Sequence, residues 1–144
     1  MNAPVEKLAI RPFARDDESQ VIALWREVFA KDPPWNEPTE IIRRKLQVQP
    51  ELFLVGELDG RIVATVIGGY DGFRGWVYHL GVTGTLGRQG IGRKMMSEIE
   101  ARLAAIGCPK INIQVRAWNE AVVGFYKALG YTVEPHTSMG KLLE

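Results

Sequence analysis

The chain has 144 residues, 46% of them apolar, close to the length of one ordinary domain with one core. Its 18 basic and 17 acidic residues leave a formal charge of +1, which gives no electrostatic footprint for nucleic acid or an anionic membrane surface. Cys108 is the only cysteine, so an internal disulfide is excluded, and no apolar run approaches membrane-spanning length. The opening residues 1–7 lack the apolar stretch of a signal peptide, and the expectation is a single cytoplasmic domain over 1–144.

In chain order, residues 7–12 read as a first strand. Asp17 and Gln20 offer a capping box for a helix that turns Val21, Leu24, Trp25 and Val28 inward, and a second helix is expected from Thr39. Residues 52–58 and 61–70 form a predicted hairpin closed by Asp59-Gly60, a strong two-residue turn signal, and 76–82 continue the sheet. A glycine-rich run, residues 84–93, follows directly. Ile91, Met95, Ile99, Leu103 and Ile106 then line one face of a long helix ended by Gly107 and Pro109. An alternating strand through Ile111, Ile113 and Val115, a helix capped by Asn119, and strands at 131–133 and near 137–143 complete the pattern.

The glycine run carries the most information about function. Four glycines, Gly84, Gly87, Gly90 and Gly92, stand between a strand and an amphipathic helix, where the backbone approaches a ligand closely and the first helical amides face it. A nucleotide-hydrolase loop needs Lys and then Ser or Thr after Gly92, but Arg93 and Lys94 stand there. A dinucleotide fingerprint read from Gly90 and Gly92 needs a third glycine at Met95 and a place at the start of a βαβ unit, and it has neither.

What remains, Gly87-Arg88-Gln89-Gly90-Ile91-Gly92, resembles the pyrophosphate loop of the GNAT superfamily of N-acyltransferases, Gln/Arg-x-x-Gly-x-Gly/Ala, with Gly87 in place of the usual long polar residue. A second segment, Asn119 to Tyr131, resembles the family pattern Asn-x-x-Ala-x-x-x-Tyr-x-x-x-Gly-Phe/Tyr, with Val122 at the small position. Smaller details, Pro34-Trp35-Asn36, Gly69-Tyr70-Asp71-Gly72 and Gly107-Cys108-Pro109-Lys110, look like the small bacterial YpeA-type acetyltransferases. The resemblance implies an α/β fold of the GNAT type: a mixed, mostly antiparallel sheet of six to seven strands with about four helices, splayed between strands 4 and 5. It also implies acetyl-CoA as the acyl donor, an amine acceptor, direct transfer without a metal, and a homodimer as one allowed assembly.

By the same resemblance, Leu80, Gly81 and Val82 belong to a bulged strand whose backbone holds the pantetheine arm. Gly81 makes such a bulge inexpensive. The amides of Gly87, Arg88, Gln89, Gly90, Ile91, Gly92 and Arg93 would hold the pyrophosphate. Tyr126 would protonate the departing thiolate, because a phenol of pKa about 10 keeps its proton at neutral pH while a thiol near 8.5 leaves readily; the alternative is a buried aromatic on a packing face. Asn119 would contact the cofactor arm or only cap its helix.

The family's Glu on the strand before the Asn motif is replaced by Gln114, which accepts no proton at neutral pH. His79 is the candidate base, alone or through water, with a packed strand histidine as the alternative, and Tyr78 is its neighbour on the opposite face. Without a base, an α-amino group of pKa about 8 is a better acceptor than a lysine near 10.4. Trp35, Asn36, Glu37 and His136 mark the expected acceptor region, where Trp35 either meets substrate or covers the core, and His136 reads as an exposed turn residue. A non-catalytic acyl-CoA-binding module is the alternative function.

Overall fold

The computed structural model describes residues 4–87, 89–116 and 119–143, in two compact units, Met1–Ile113 and Gln114–Glu144. In the first unit, β1 (Ala9–Pro12), β2 (Phe53–Leu58), β3 (Arg61–Tyr70), β4 (Gly75–Val82) and β5 (Ile111–Asn112) form one sheet in that order. The first three pairings are antiparallel and the last is parallel. The β2–β3 turn is the expected one: Asp59 and Gly60 have φ of 52° and 78°, the left-handed pair whose twist matches that of the flanking strands.

Helices cover both faces of the sheet. α2 (Glu18–Val28) and α3 (Pro38–Lys45) lie on one side, where Phe13, Val21, Trp25, Ile42, Phe53, Val55, Ile62 and Ile67 form a buried cluster. Phe13 stacks on Phe53 at 4.5 Å, and Trp25 stacks on the same ring at 5.8 Å. Burying a side chain of this size contributes about 1.5–3 kcal/mol, so this cluster fixes α2 against the strands. α4 (Ile91–Ala105) covers the other face through Ile91, Met95, Met96, Ile99 and Leu103. Ile106 falls beyond the helix end and is 48% exposed, so the predicted apolar stripe is one residue too long. A four-residue helix, α1 (Pro4–Lys7), precedes β1 and meets α4 through Lys94, whose ammonium donates to the carbonyls of Val5 and Leu8 at 3.1 and 3.0 Å.

The predicted capping box is not formed. Asp17 stands at the N-cap of α2, but its carboxylate accepts from the two terminal guanidinium nitrogens of Arg11, at 2.7 and 2.9 Å, and from the Ala14 amide at 2.8 Å. Gln20 instead accepts from the Ile62 amide on β3, at 2.9 Å. The Arg11 guanidinium holds the Asp17 carboxyl below its ordinary range despite burial, and Arg11 is pushed in the opposite direction.

The second unit contains α5 (Glu120–Ala128), and none of its described residues is buried. The strands expected at 131–133 and 137–143 are absent, so the described sheet has five strands rather than six or seven, and the strand expected through Val115 ends at Asn112. Pro135 has no amide to donate, and Val133, Met139 and Leu143 are 72%, 91% and 92% exposed, so no buried face holds these residues in a ladder. No helix among the described residues is long and apolar enough to cross a membrane.

Candidate active site

β4 carries the irregularity on which the site depends. Tyr78 pairs with Ile67 and Gly81 with Thr65, so His79 and Leu80 together oppose the single residue Val66. The residue that takes the strained conformation is His79, with φ of 50°, and not Gly81 as its sequence suggested. Histidine tolerates this region better than most side chains. Gly81 answers a different need: a Cβ there would stand 2.9 Å from Val28 and 3.2 Å from Phe29, so glycine lets the end of α2 lie on the strand. Beyond Trp76 no described strand pairs with the outer edge of β4, because β5 matches only Gly75 and Trp76. The splay expected between strands 4 and 5 is represented only by this unpaired edge, since β5 ends at Asn112, and Leu80 and Val82 lie half-buried along it.

β4 runs directly into the glycine loop. A short 3-10 turn at Gly84–Leu86 is anchored by Glu27 of α2, whose carboxylate accepts from the Gly84 amide at 2.8 Å. Gly90 is the N-cap of α4 with φ of 84°, a conformation open to glycine and strained for nearly every other residue. No acidic side chain occupies the first turn, and no side chain caps it. The amides of Ile91, Gly92 and Arg93 thus lack helical partners and carry the positive end of the dipole, a donor set suited to a diphosphate. Gly87 has an ordinary φ of −61°, and a Cβ there would lie 3.6 Å from the Gly84 carbonyl oxygen, so the backbone does not require glycine at this position. Gln89 is exposed, and Arg88 lies outside the described residues.

On the α2 side of the bulge is a cavity of about 370 Å³ lined by Trp25, Phe29, Asp32, Glu37, Pro38 and His79, among others. His79 sits edge-on to Trp25 and Phe29, at 4.8 and 4.7 Å, and its Nε2 is 3.4 Å from Asp32 Oδ2. Asn36 donates to the same Asp32 oxygen at 3.3 Å, and Glu37 lies 3.6 Å from Arg26. Of the residues expected to mark the acceptor region, Asn36 and Glu37 line this cavity, whereas Trp35 does not and, at 57% exposure, does not cover the core. Tyr78 is half-exposed and stacks on Trp76 at 6.5 Å; burial, and to a lesser degree Asp71, pushes its phenol up. His136 is exposed. Sequence reading missed Asp32, Trp25 and Thr65. The spacing of Trp25 and Phe29 on one helical face was the available signal for that wall, whereas Thr65 looked like any β-branched strand residue.

In the second unit, α5 ends in a Schellman motif: Tyr131 donates to the Tyr126 carbonyl at 3.1 Å and Gly130 to that of Lys127 at 3.0 Å, with Gly130 at φ 98°. The accompanying side-chain contact is between the two tyrosine rings, 5.7 Å apart, so the Tyr-x-x-x-Gly-Tyr spacing is a helix-ending device that also fixes Tyr126. Phe125 packs edge-on at 5.1 Å, and burial pushes the Tyr126 phenol up to about 12. Asn119 occupies the N-cap, but its side chain makes no capping hydrogen bond, so of its two expected roles the helix cap is not formed. The Gln114 amide donates to Ser138 Oγ at 2.6 Å.

The model of the Acetyltransferase (GNAT) family matches residues 21–131. An acetyltransferase of Yersinia pestis (strain Pestoides F) is 46% identical over 136 residues, covering 94% of this chain and 96% of that protein. Among solved structures, Ard1 from Thermoplasma volcanium superposes with a TM-score of 0.77 at 20% identity, covering 89% of this chain and 84% of its own. The aminoglycoside N-acetyltransferase AAC(6')-Iy in complex with CoA superposes with a TM-score of 0.74 at 12% identity, over 94% and 95% of the two chains. These structural likenesses establish the fold; the family match over most of the chain, together with the relative, establishes more. The chain belongs to the GNAT family and is an acetyl-CoA-dependent acetyltransferase.

Proposed function

We propose that the protein transfers the acetyl group directly to a primary amine of a small molecule or peptide, within one ternary complex. The observation that carries this reading is the continuity of β4: a bulge with an open edge leads, within one stretch of backbone, to the N-terminus of α4, whose first amides have no partner within the helix. Acetyl-CoA supplies an activated thioester, so that a nitrogen–carbon bond forms as the carbon–sulfur bond breaks. Backbone groups of Leu80, Gly81 and Val82 hold the acyl arm, and the amides of residues 87–93 hold the diphosphate. Asn119, whose side chain does not cap α5, is assigned to the cofactor arm.

The amine is placed in the cavity beside His79, which takes the ammonium proton directly or through water. Asp32 and Glu37 bias that cavity toward a cationic amine, with Arg26 offsetting part of the charge. Tyr126 is the proton donor to sulfur. With a phenol pKa of about 12 it stays protonated at every working pH, and delivery to a thiolate whose acid has a pKa near 8.5 is uphill until that sulfur is itself desolvated. Its hydrogen bond therefore supports the leaving group first, and the proton follows late.

The test is the melting temperature with acetyl-CoA, CoA or ATP. At about 100 times Kd a ligand adds about 2.7 kcal/mol, several degrees for a domain of this size. Shifts with both CoA compounds and little with ATP support the site, and a screen of α-amino peptides against lysine-containing peptides and polyamines then reads the acceptor. Absence of a shift at millimolar acetyl-CoA overturns it.

A further inference from the structure

Thr65 is the one fully buried polar side chain of the sheet, with no exposed surface, in a strand whose neighbours are alanine, valine and isoleucine. Its hydroxyl accepts a hydrogen bond from Trp25 Nε1 at 2.9 Å and donates one to the carbonyl of His79 at 3.0 Å. Trp25 is itself 1% exposed, so donor, hydroxyl and acceptor form a closed chain. The chain ends on the residue with φ of 50° at the β4 bulge. A hydroxyl in this place satisfies the buried Trp25 N–H, which valine would leave without an acceptor. What it adds is direction.

We propose that Thr65, held by Trp25, is a positioning residue that sets the orientation of the His79–Leu80 peptide. In a planar trans peptide the carbonyl and the following N–H point in opposite directions. Drawing the His79 carbonyl to Thr65 turns the Leu80 N–H away from α2 and β3, toward the unpaired side of β4, where it donates to the thioester carbonyl oxygen as negative charge builds there. The positive φ of His79 is the conformational strain this orientation requires, and the Trp25–Thr65–His79 chain holds it in place. This inference rests on the reading of the β4 bulge as the site of the acyl group.

The test needs no acceptor amine. The Leu80 amide is followed by 15N NMR in the full chain as CoA and then acetyl-CoA are added, and the two dissociation constants are measured by calorimetry for wild type, Thr65→Ser, Thr65→Val and the double variant Trp25→Phe/Thr65→Val. Wild type and Thr65→Ser should show a Leu80 shift specific to acetyl-CoA. A neutral hydrogen bond corresponds to a factor of about 2 to 12 in binding, and that preference for acetyl-CoA over CoA should vanish in Thr65→Val while the Kd for CoA holds. Thr65→Val also leaves the Trp25 N–H buried without an acceptor, which lowers the melting temperature. The double variant removes that orphan, so a folded protein that still lacks the acetyl-specific shift separates positioning from stability. Retention of the shift and the preference in both valine variants overturns the role of Thr65 alone. A wild-type Leu80 amide that ignores the acetyl group overturns this inference together with the placement of the acyl group.

Discussion

The glycine loop before α4 and the cavity beside α2 are adjoining parts of one unit built from different materials. The loop offers backbone amides, made available by Gly90 at φ 84° and by a first helical turn without acidic side chains. The cavity offers side chains drawn from three stretches of chain: Trp25 of α2 with Phe29 at its C-cap, Asp32 and Glu37 from the loop after it, and His79 from β4. A backbone site tolerates change in every side chain around it, provided the conformation survives. A side-chain site fails when any one group is lost, yet it can be retuned. The difference predicts binding defects on one side and rate or specificity defects on the other.

The largest expected effect is on rate alone. Tyr126→Phe removes the proposed proton donor and should lower kcat by about 10²- to 10⁴-fold with acetyl-CoA affinity unchanged; turnover near that of wild type would remove the role. His79→Asn comes next, a substitution that tolerates positive φ but carries no titrating group. It should lower kcat/KM by on the order of 10² and flatten its rise with pH, and an unaltered profile would leave His79 as a packing residue.

Gly90→Val tests the backbone side. A β-branched residue at φ 84° costs about 1–3 kcal/mol, so the melting temperature should fall by several degrees and the CoA-induced shift should disappear together with it. Binding with wild-type affinity in that variant would show that the amides are not the site.

A control lies away from both halves. The folded-state pKa of Asp17 is depressed, so its contribution is present above the ordinary carboxylate range and lost as pH falls through the folded value. Asp17→Asn should be less stable than wild type by about 1–3 kcal/mol at neutral pH, and the gap should close in acid, as read from melting temperatures across pH. The smallest effect sharpens the comparison. Gly87→Arg restores a long polar residue where the backbone already allows one, and an exposed charge pair of about 0.2–1 kcal/mol should tighten CoA binding by at most about fivefold, less at high salt.

How much was legible follows the same division. The hairpin at Asp59-Gly60 and the start of α4 at its glycine loop were readable because glycine positions and hydrophobic periods are local properties of the chain. The bulge was read to the correct strand but to the wrong residue, since Gly81 is required by Val28 and Phe29 packing above it, a contact made across more than fifty residues of sequence. The capping box failed for a similar reason: Arg11 and Ala14 claim the Asp17 carboxylate, and Ile62 claims Gln20. The final strands failed because alternation in sequence yields a strand only where a buried face receives it, and Val133, Met139 and Leu143 have none.

Sequence by itself determined the family, the Asp59-Gly60 hairpin and the glycine-loop start of α4, because each depends on residues within a few positions of one another. Tertiary structure alone decided which residue carries the strained bulge, that Asp32 stands beside His79, and that Thr65 links Trp25 to the His79 carbonyl. Those relations join residues 47, 40 and 14 positions apart along the chain, and contacts over such separations leave no periodicity to read.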